Sequence, residues 1–307
     1  MTPAPLYAVF GNPVAHSKSP QIHQMFAAQE GVSIRYERRL SQPETFAREI
    51  AAFFAEGGAG ANVTLPFKTR AAELAHECAE RAAAAGAANT LIPFSDGLIR
   101  ADNTDGLGLV SDITRNLGIP LCGKRILVLG AGGAVRGVLQ PLLAENPAEL
   151  AIANRTHEKA QALARRFGIA AVETGRLKSG FDIIVNGTSG SLAGTAPDIP
   201  PTAYRNCALA YDMAYADTAT AFQTAAAKNG AAQTADGLGM LVCRRILPPL
   251  ARPPPRHRPR YRRIEKGRLK CSNGYSPSRS PSSSCLTPTF TAASSPTAPS
   301  PPTTARS

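Results

Sequence analysis

The sequence lacks the cysteine and histidine patterns of a metal-binding protein. Its six cysteines include no C-x-x-C pair, and three of the six lie after residue 242. The five histidines are scattered along the chain. A zinc ribbon, a disulfide framework and a metal cluster are therefore unsupported by the sequence.

Long hydrophobic runs are also missing, although 43% of the residues are hydrophobic. No run approaches the roughly 18 residues that a membrane-spanning helix needs. The N-terminus has no basic start followed by an apolar stretch, because Asn12, Pro13 and His16 come too early for a signal peptide. These absences predict a cytoplasmic protein with no membrane partner.

Acidic residues are almost absent from the last part of the chain. The formal net charge is +12, but residues 243–307 hold 13 of the 34 Lys and Arg residues and only one of the 22 acids, Glu265. Residues 1–242 therefore carry 21 residues of each sign and are formally neutral. Since the basic excess is confined to the tail, the net charge does not by itself indicate a nucleic-acid partner.

The same tail holds 13 of the 26 prolines and shows neither helical nor strand periodicity. Such a composition buries too little apolar area to offset the entropy of ordering, so we expect residues 243–307 to be disordered. Their basic run leaves open an alternative function, nucleic-acid binding through the tail. No aromatic platform accompanies that run apart from Tyr261 and Tyr275, so we expect no specific nucleic-acid partner.

A glycine-rich turn organises the rest of the chain. Four apolar residues, Ile126 to Leu129, predict a strand buried on both faces, and Gly130, Ala131, Gly132, Gly133 and Ala134 follow it directly. A turn of this kind before a helix is typical of a dinucleotide-binding unit, in which a pyrophosphate lies at the helix N-terminus. Val135 stands where the usual motif has its third glycine, so an ordinary strand–turn–helix without a ligand is the alternative.

Strands and helices alternate on both sides of a polar break at Asp102–Gly106, which predicts an α/β protein. We expect residues 1–104 to form a substrate-binding and catalytic domain and residues 105–242 to form a doubly wound, Rossmann-type NADP-binding domain. A monomer and a homodimer both remain open.

Arg155 indicates which cofactor this second domain takes. NAD enzymes usually place an acid after the second strand of the fold, where it binds the ribose 2′-hydroxyl. This sequence has Asn154, Arg155 and Thr156 there, and a guanidinium suits a 2′-phosphate. NADP is therefore predicted over NAD, with a solvated surface arginine as the alternative.

Lys68 and Asp105 are the candidate catalytic residues. Lys68 follows a strand end, where α/β proteins bind ligands, and an ammonium can stabilise and protonate the oxygen of a ketone that is being reduced. Asp105 lies at the joint between the two expected domains. Both residues could instead be surface charges, Ser19 could be a helix N-cap, and Asn89 could be a turn residue.

Seven motifs appear in the order that is seen in shikimate dehydrogenases, over about residues 5–242. They are His16-Ser17-Lys18-Ser19-Pro20, Asn62-Val63-Thr64-x-Pro66-x-Lys68, Gly86-Ala87-Ala88-Asn89-Thr90, Asp102-Asn103-Thr104-Asp105-Gly106, Gly130-Ala131-Gly132-Gly133-Ala134, Asn154-Arg155-Thr156 and Asp236-Gly237-Leu238-Gly239-Met240-Leu241. The chain thus resembles that family, and the resemblance implies reversible NADPH-dependent reduction of 3-dehydroshikimate to shikimate, on the route to chorismate and the aromatic amino acids.

The resemblance also implies roles for individual residues. Lys68 and Asp105 would be the catalytic pair. The substrate would be held by Ser17, Ser19, Asn62, Thr64, Asn89 and Tyr215, together with Lys68 and Asp105. The cofactor would be held by Gly130 to Ala134, by Asn154, Arg155, Thr156, His157, Glu158 and Lys159, by Met213 and Gly237, and by Glu80. A quinate/shikimate dehydrogenase with relaxed specificity is the alternative within the same class.

The sequence departs from the family after Val242. The family has a glutamine where this chain has Arg244, and the helix that should continue is interrupted at Pro248. We hypothesise that everything after Val242 is translated out of frame. Loss of the helices that normally follow would expose apolar surface, which predicts poor solubility and weak or absent activity for this chain.

Overall fold

The computed structural model describes residues 3–244, and the predicted disorder and frame change of residues 243–307 lie almost wholly outside them. The described residues form two six-stranded sheets within one compact unit. The first sheet contains β1 (Leu6–Gly11), β2 (Arg35–Leu40), β3 (Gly58–Val63), β4 (Glu77–Cys78), β5 (Thr90–Pro93) and β6 (Ile99–Asp102). Its helices are α1 (Ser19–Gln29), α2 (Phe46–Ala55), α3 (Lys68–Leu74) and α4 (Glu80–Ala85).

The first sheet has the order β2-β1-β3-β5-β6-β4. Strands β2, β1 and β3 are parallel, and β5 pairs antiparallel with both β3 and β6. Phe10, Phe46, Phe53 and Leu91 are fully buried in its core. Because β1 and β3 are parallel, their carboxyl ends lie at the same edge of the sheet, and α3 begins there with Lys68.

The second sheet contains β7 (Arg125–Leu129), β8 (Glu149–Ala153), β9 (Ala170–Val172), β10 (Ile183–Asn186), β11 (Leu209–Asp212) and β12 (Thr234–Ala235). Its helices are α6 (Gly133–Ala144), α7 (His157–Phe167), α8 (Ala221–Lys228) and α9 (Leu238–Cys243). Every neighbouring pair is parallel, in the order β9-β8-β7-β10-β11-β12. This is the doubly wound order of dinucleotide-binding sheets, and Ile126 to Leu129 are buried as predicted.

Helix α5 (Asp105–Ser111) joins the two sheets and continues as a π-helical turn (Asp112–Asn116). It packs on α6 and on α9 of the second sheet. Helices α3 and α4 of the first sheet also contact α6. Because Asp105 is the first residue of α5, it lies where the two halves of the unit meet.

The structure bears on two of the alternatives that the sequence left open. Ser19 is the first residue of α1 and does not cap it, since Lys18 precedes the helix and the Ser19 hydroxyl accepts a hydrogen bond from Ser17 Oγ at 3.1 Å. Asn89 lies in a bend of the backbone, but its side chain is buried. It precedes β5, is 1% exposed, and donates from its amide nitrogen to Asp105.

Gly106 permits the close packing of α5 against α6. A Cβ on Gly106 would lie 2.3 Å from Cγ of Pro141 and 2.6 Å from the carbonyl oxygen of Gly137. Gly106→Ala should therefore lower the free energy of unfolding by about 1–3 kcal/mol, because the helices must separate. Urea-induced unfolding followed by circular dichroism measures this.

Gly175→Ala is the matched control, since a Cβ there would meet nothing within 4 Å. It should change the free energy of unfolding by less than about 0.5 kcal/mol. Equal stability of the two variants would contradict the packing argument.

Candidate active site

The candidate site is a cleft between the carboxyl ends of β1 and β3 and the carboxyl ends of the second sheet's strands. It is lined from the first sheet by Ser17, Ser19, Asn62, Thr64 and Lys68, among others. From the second half it is lined by Gly133, Ala134, Thr188, Met213, Tyr215 and Arg244, among others. The residues predicted as catalytic and substrate-binding thus gather at one place, with Asn89 and Asp105 buried directly behind Lys68.

Lys68 and Asp105 form a buried ion pair at the base of this cleft. Lys68 Nζ lies 2.5 Å from Asp105 Oδ2, and the two side chains are 8% and 0% exposed. The other carboxylate oxygen, Oδ1, accepts a hydrogen bond from Asn89 Nδ2 at 2.7 Å and forms an ion pair with Arg244 Nη1, which lies 3.1 Å away. Neither residue is a surface charge, which excludes the alternative left open by the sequence.

Asn89 is itself fixed in place, so that it can orient Asp105. Its side-chain oxygen accepts from the backbone N–H of Thr104 at 3.1 Å and from Thr90 Oγ1 at 2.8 Å. Its amide nitrogen is thereby directed at Asp105. The carboxylate receives donors on both oxygens, as a buried charge requires.

Burial and charge act together on this pair. Burial lowers the pKa of the Lys68 ammonium, and the positive charge of Arg244 lowers it further, against the opposing effect of Asp105. For Asp105, burial opposes ionisation, but the charges of Arg244 and Lys68 outweigh it and lower the pKa of the carboxyl. The site therefore holds an ionised aspartate beside a lysine that gives up its proton more readily than usual, which suits proton transfer.

Hydroxyl and amide groups line the substrate side of the cleft. Ser17 and Ser19 lie together before and at the start of α1, each 6% exposed. Asn62, near the end of β3, accepts from Tyr36 Oη at 2.5 Å and donates to the carbonyl oxygen of Asn89 at 3.1 Å. Burial raises the pKa of Tyr36, so that its hydroxyl remains a donor.

The glycine-rich turn leads into α6 next to Lys68. Gly130 has a φ of +108°, which glycine adopts readily and other residues rarely do. No side chain caps α6, whose N-cap is Gly132. A Cβ on Gly133 would lie 2.9 Å from Cβ of Lys68, so the start of α6 lies directly beside the candidate catalytic lysine.

The predicted 2′-phosphate residues follow β8, which pairs with β7. Arg155, Thr156, Glu158 and Lys159 are exposed and are not among the residues that line the cleft. Asn154 Nδ2 donates to the carbonyl oxygen of Thr156 at 2.8 Å and shapes this turn, while Thr156 precedes α7 without capping it. Their proximity to the glycine turn follows from the pairing of β7 with β8.

Two further loops complete the second half of the cleft. Met213 and Tyr215 follow β11, and the backbone N–H of Lys18 donates to Tyr215 Oη at 3.2 Å. Gly237 precedes α9, and its N–H donates to the carbonyl oxygen of Ala214 at 2.9 Å. Glu80 is exposed at the start of α4 and does not line the cleft, so its cofactor role stays a prediction.

Sequence reasoning missed three side chains that shape the site. Tyr36 lies on a strand of alternating polarity, and its spacing gave no sign that it would reach Asn62. Asp212 is fully buried and accepts from Ser191, Thr220 and Asn186, which ties together the loops after β10 and β11. Arg244 had been noted only as a departure from the family.

Within residues 3–244, no group of three or more His, Cys, Asp or Glu side chains could hold a metal ion. Over the same residues, every helix is too short or too polar to cross a membrane.

Comparison with known proteins identifies the family. Residues 9–91 match the shikimate dehydrogenase substrate binding domain, and residues 113–193 match the family described as shikimate / quinate 5-dehydrogenase. A shikimate dehydrogenase (NADP(+)) from Cellvibrio japonicus is 52% identical over 242 residues, which are 77% of this chain and 87% of the relative. This chain belongs to the shikimate dehydrogenase family.

Two other relatives agree with this shikimate dehydrogenase assignment. The shikimate dehydrogenase (NADP(+)) of Dechloromonas aromatica is 54% identical over 77% of this chain and 88% of its own length. The solved structure of the Thermus thermophilus shikimate 5-dehydrogenase, a complex with NADP(H) and shikimate, is 32% identical. It superposes with a TM-score of 0.71 over 78% of this chain and 90% of its own. The predicted family and fold class are confirmed.

Removal of the Asp105 charge should destabilise the protein. Asp105→Asn would leave Lys68 and Arg244 without their shared counter-charge, at a cost of about 3 kcal/mol in unfolding free energy at neutral pH. Because the folded protein lowers the pKa of Asp105, this difference is present above the ordinary carboxyl pKa of about 3.9. It should shrink as the pH falls through the lower pKa of the folded state. Denaturant unfolding across this pH range measures it.

Asp217→Asn is the control for the loss of one carboxylate. Asp217 also pairs with a lysine, Lys18, at 2.6 Å, but its side chain is 90% exposed. The variant should unfold like the unmodified protein. If both variants lost stability equally, burial would not be what makes the Asp105 pair important.

Proposed function

We propose that this chain catalyses the reversible, NADPH-dependent reduction of 3-dehydroshikimate to shikimate. The observation that carries the proposal is the buried Lys68–Asp105 pair beside the start of α6. A lysine whose pKa is lowered lies there next to the helix terminus expected to hold a dinucleotide. Family membership supports the same substrate and cofactor.

The residues after β7 and β8 fit NADP. The uncapped start of α6 offers backbone N–H groups and a positive dipole end to the pyrophosphate. The exposed guanidinium of Arg155 is free to bind a 2′-phosphate with two parallel hydrogen bonds. Gly130 to Ala134, Asn154 to Lys159, Met213 and Gly237 would hold the cofactor, and NADPH, when bound, supplies the hydride.

Lys68 supplies the proton. As the substrate carbonyl becomes an alkoxide, the Lys68 ammonium stabilises the charge on oxygen and transfers its proton to it. In the oxidation of shikimate the neutral amine takes this proton back. Asp105 holds Lys68 in position and would also accept a hydrogen bond from a ring hydroxyl.

The other polar side chains suit a small acid with several hydroxyls. Ser17 and Ser19 would bind the carboxylate, and Asn62, Thr64 and Asn89 would bind ring hydroxyls. Tyr215 would close over the substrate from the second half of the cleft. Neutral donors and acceptors of this kind match hydroxyls without burying additional charge.

Finer properties stay predictions. Quinate is the alternative substrate, and kinetics with quinate beside shikimate decide between them. The expected domain boundary at residues 104 and 105, a cytoplasmic location and a monomeric or dimeric state are proposals of the same standing. Binding of nucleic acid through residues 243–307 concerns a segment outside the described residues, and retention of nucleic acid by the full chain tests it.

Replacing Lys68 tests the catalytic assignment. Lys68→Ala should lower kcat for NADP⁺ reduction with shikimate by about 10²–10⁴-fold, because the proton acceptor is lost. The appearance of NADPH absorbance measures the rate. Lys228→Ala removes an exposed lysine at the end of α8 and should turn over like the unmodified chain. Normal turnover by Lys68→Ala would overturn the role of Lys68. No turnover by the unmodified chain would overturn the proposed activity of this chain and would agree with the effect expected of the altered sequence after Val242.

Replacing Arg155 tests the choice of cofactor. Arg155→Ala should raise KM for NADP⁺ by about 10–100-fold, as expected for the loss of a charged hydrogen-bonded contact. KM for NAD⁺ should change little, because NAD⁺ has no 2′-phosphate. Arg165→Ala, an exposed change on the same helix α7, is the control. Parallel increases for both cofactors would show that Arg155 does not bind the 2′-phosphate.

A further inference from the structure

Arg244 extends from the end of α9 into the catalytic centre. Helix α9 packs on α5, and the contact is close: a Cβ on Gly108 would lie 2.5 Å from the carbonyl oxygen of Met240 and 2.9 Å from Cγ of Arg244. The Arg244 side chain therefore passes along α5 toward its first residue, Asp105. It is 19% exposed and lines the cleft.

The guanidinium and Lys68 bind opposite oxygens of one carboxylate. Arg244 Nη1 lies 3.1 Å from Asp105 Oδ1, and Lys68 Nζ lies 2.5 Å from Asp105 Oδ2. Asn89 Nδ2 also donates to Oδ1, at 2.7 Å. With donors on both sides the carboxylate cannot rotate without breaking a charged hydrogen bond.

Arg244 does not use all of its hydrogen-bond donors. Its Nε is buried and has no hydrogen-bond partner among residues 3–244. An arginine that served only to join α9 to α5 would normally use its donors on nearby carbonyl groups. The Arg244 guanidinium instead lies at the Asp105 carboxylate, inside the cleft.

We propose that Arg244 is a positioning residue for the reaction, which fixes the Asp105 carboxylate against Lys68 and adds a second positive charge beside it. This inference rests on the proposed function for its kinetic test. It concerns the arginine that this chain has where the family has a glutamine, and it holds for this chain whatever the origin of the sequence after Val242. It predicts that the charge on Arg244, which follows α9, helps to set the pH dependence of catalysis.

The charged groups that act on Lys68 are few. Within the described residues they are Asp105 from α5 and Arg244 after α9. Asn62 near the end of β3 and Thr64 after it are uncharged, Gly133 of α6 has no side chain, and His16 and His23 line the cleft on the α1 side. Besides burial, Arg244 is therefore the group that lowers the pKa of Lys68, while Asp105 raises it.

Loss of the Arg244 charge should move the pH profile of shikimate oxidation in one direction. Oxidation of shikimate needs neutral Lys68 as the proton acceptor, so the rate rises as the pH passes the pKa of Lys68. Without the charge of Arg244 the ammonium becomes more stable and this pKa rises. The acid limb of the profile should then move to higher pH.

The kinetic test compares two substitutions at Arg244. Arg244→Gln removes the charge and keeps an amide donor, and it should shift the acid limb of kcat/KM for shikimate oxidation upward by about one pH unit. Arg244→Lys keeps the charge and should return the acid limb to its original pH, whatever the size of its kcat. Arg205→Gln makes the same charge change at an exposed site before β11 and should leave the profile unchanged.

A second measurement does not depend on turnover. The ε-carbon NMR signal of Lys68, assigned by its loss in Lys68→Met, reports the titration of the lysine directly. Its midpoint should rise in Arg244→Gln and not in Arg205→Gln. An unchanged midpoint in Arg244→Gln overturns the inference. If the unmodified chain shows no shikimate turnover, the proposed function fails, and the NMR titration still decides the role of Arg244.

Discussion

The buried pair of Lys68 and Asp105 is the constraint on which the site depends. Two charges that are 8% and 0% exposed lose most of their hydration, a cost of several kcal/mol each that their mutual attraction offsets only with good geometry and further donors. The donors come from separate parts of the chain, Asn89 before β5 and Arg244 after α9. The surroundings of the pair are therefore complete only when elements from both sheets are packed around α5.

Much of the fold could be predicted because its signals are local. The apolar run at Ile126–Leu129 and the glycines after it identify a buried strand and a tight turn from adjacent residues. Lys68 could be proposed because it follows the end of a strand, and Asp105 because it lies at the joint between the two expected domains. The alternative of a helix cap at Ser19 arises because serine before proline is typical of a helix start, whereas in the structure the Ser19 hydroxyl accepts a hydrogen bond from Ser17.

Contacts between distant residues could not be predicted in this way. Tyr36 on β2 reaches Asn62 on β3 across the intervening strand β1, and Tyr211 Oη donates to Asp112 at 2.6 Å over 99 residues of sequence. Asp212 binds Ser191 and Thr220, which fixes the loops that carry Thr188 and Met213. None of these residues belongs to a recognisable local pattern, since their partners are set by the strand order and by helix packing.

The charged side chains give the centre of the cleft a net positive charge, which bears on the ligands that it attracts. Among the described residues that line it, the basic side chains other than histidine are Lys68 and Arg244, and the nearest carboxylate, Asp105, lies behind them. Two positive groups and one negative group leave a net positive centre, next to the positive end of α6. An anionic substrate and a pyrophosphate are both attracted to such a centre. The buried Asp105 carboxylate holds the Lys68 and Arg244 cations together. The negative charges of the bound ligands would neutralise the positive charge that remains.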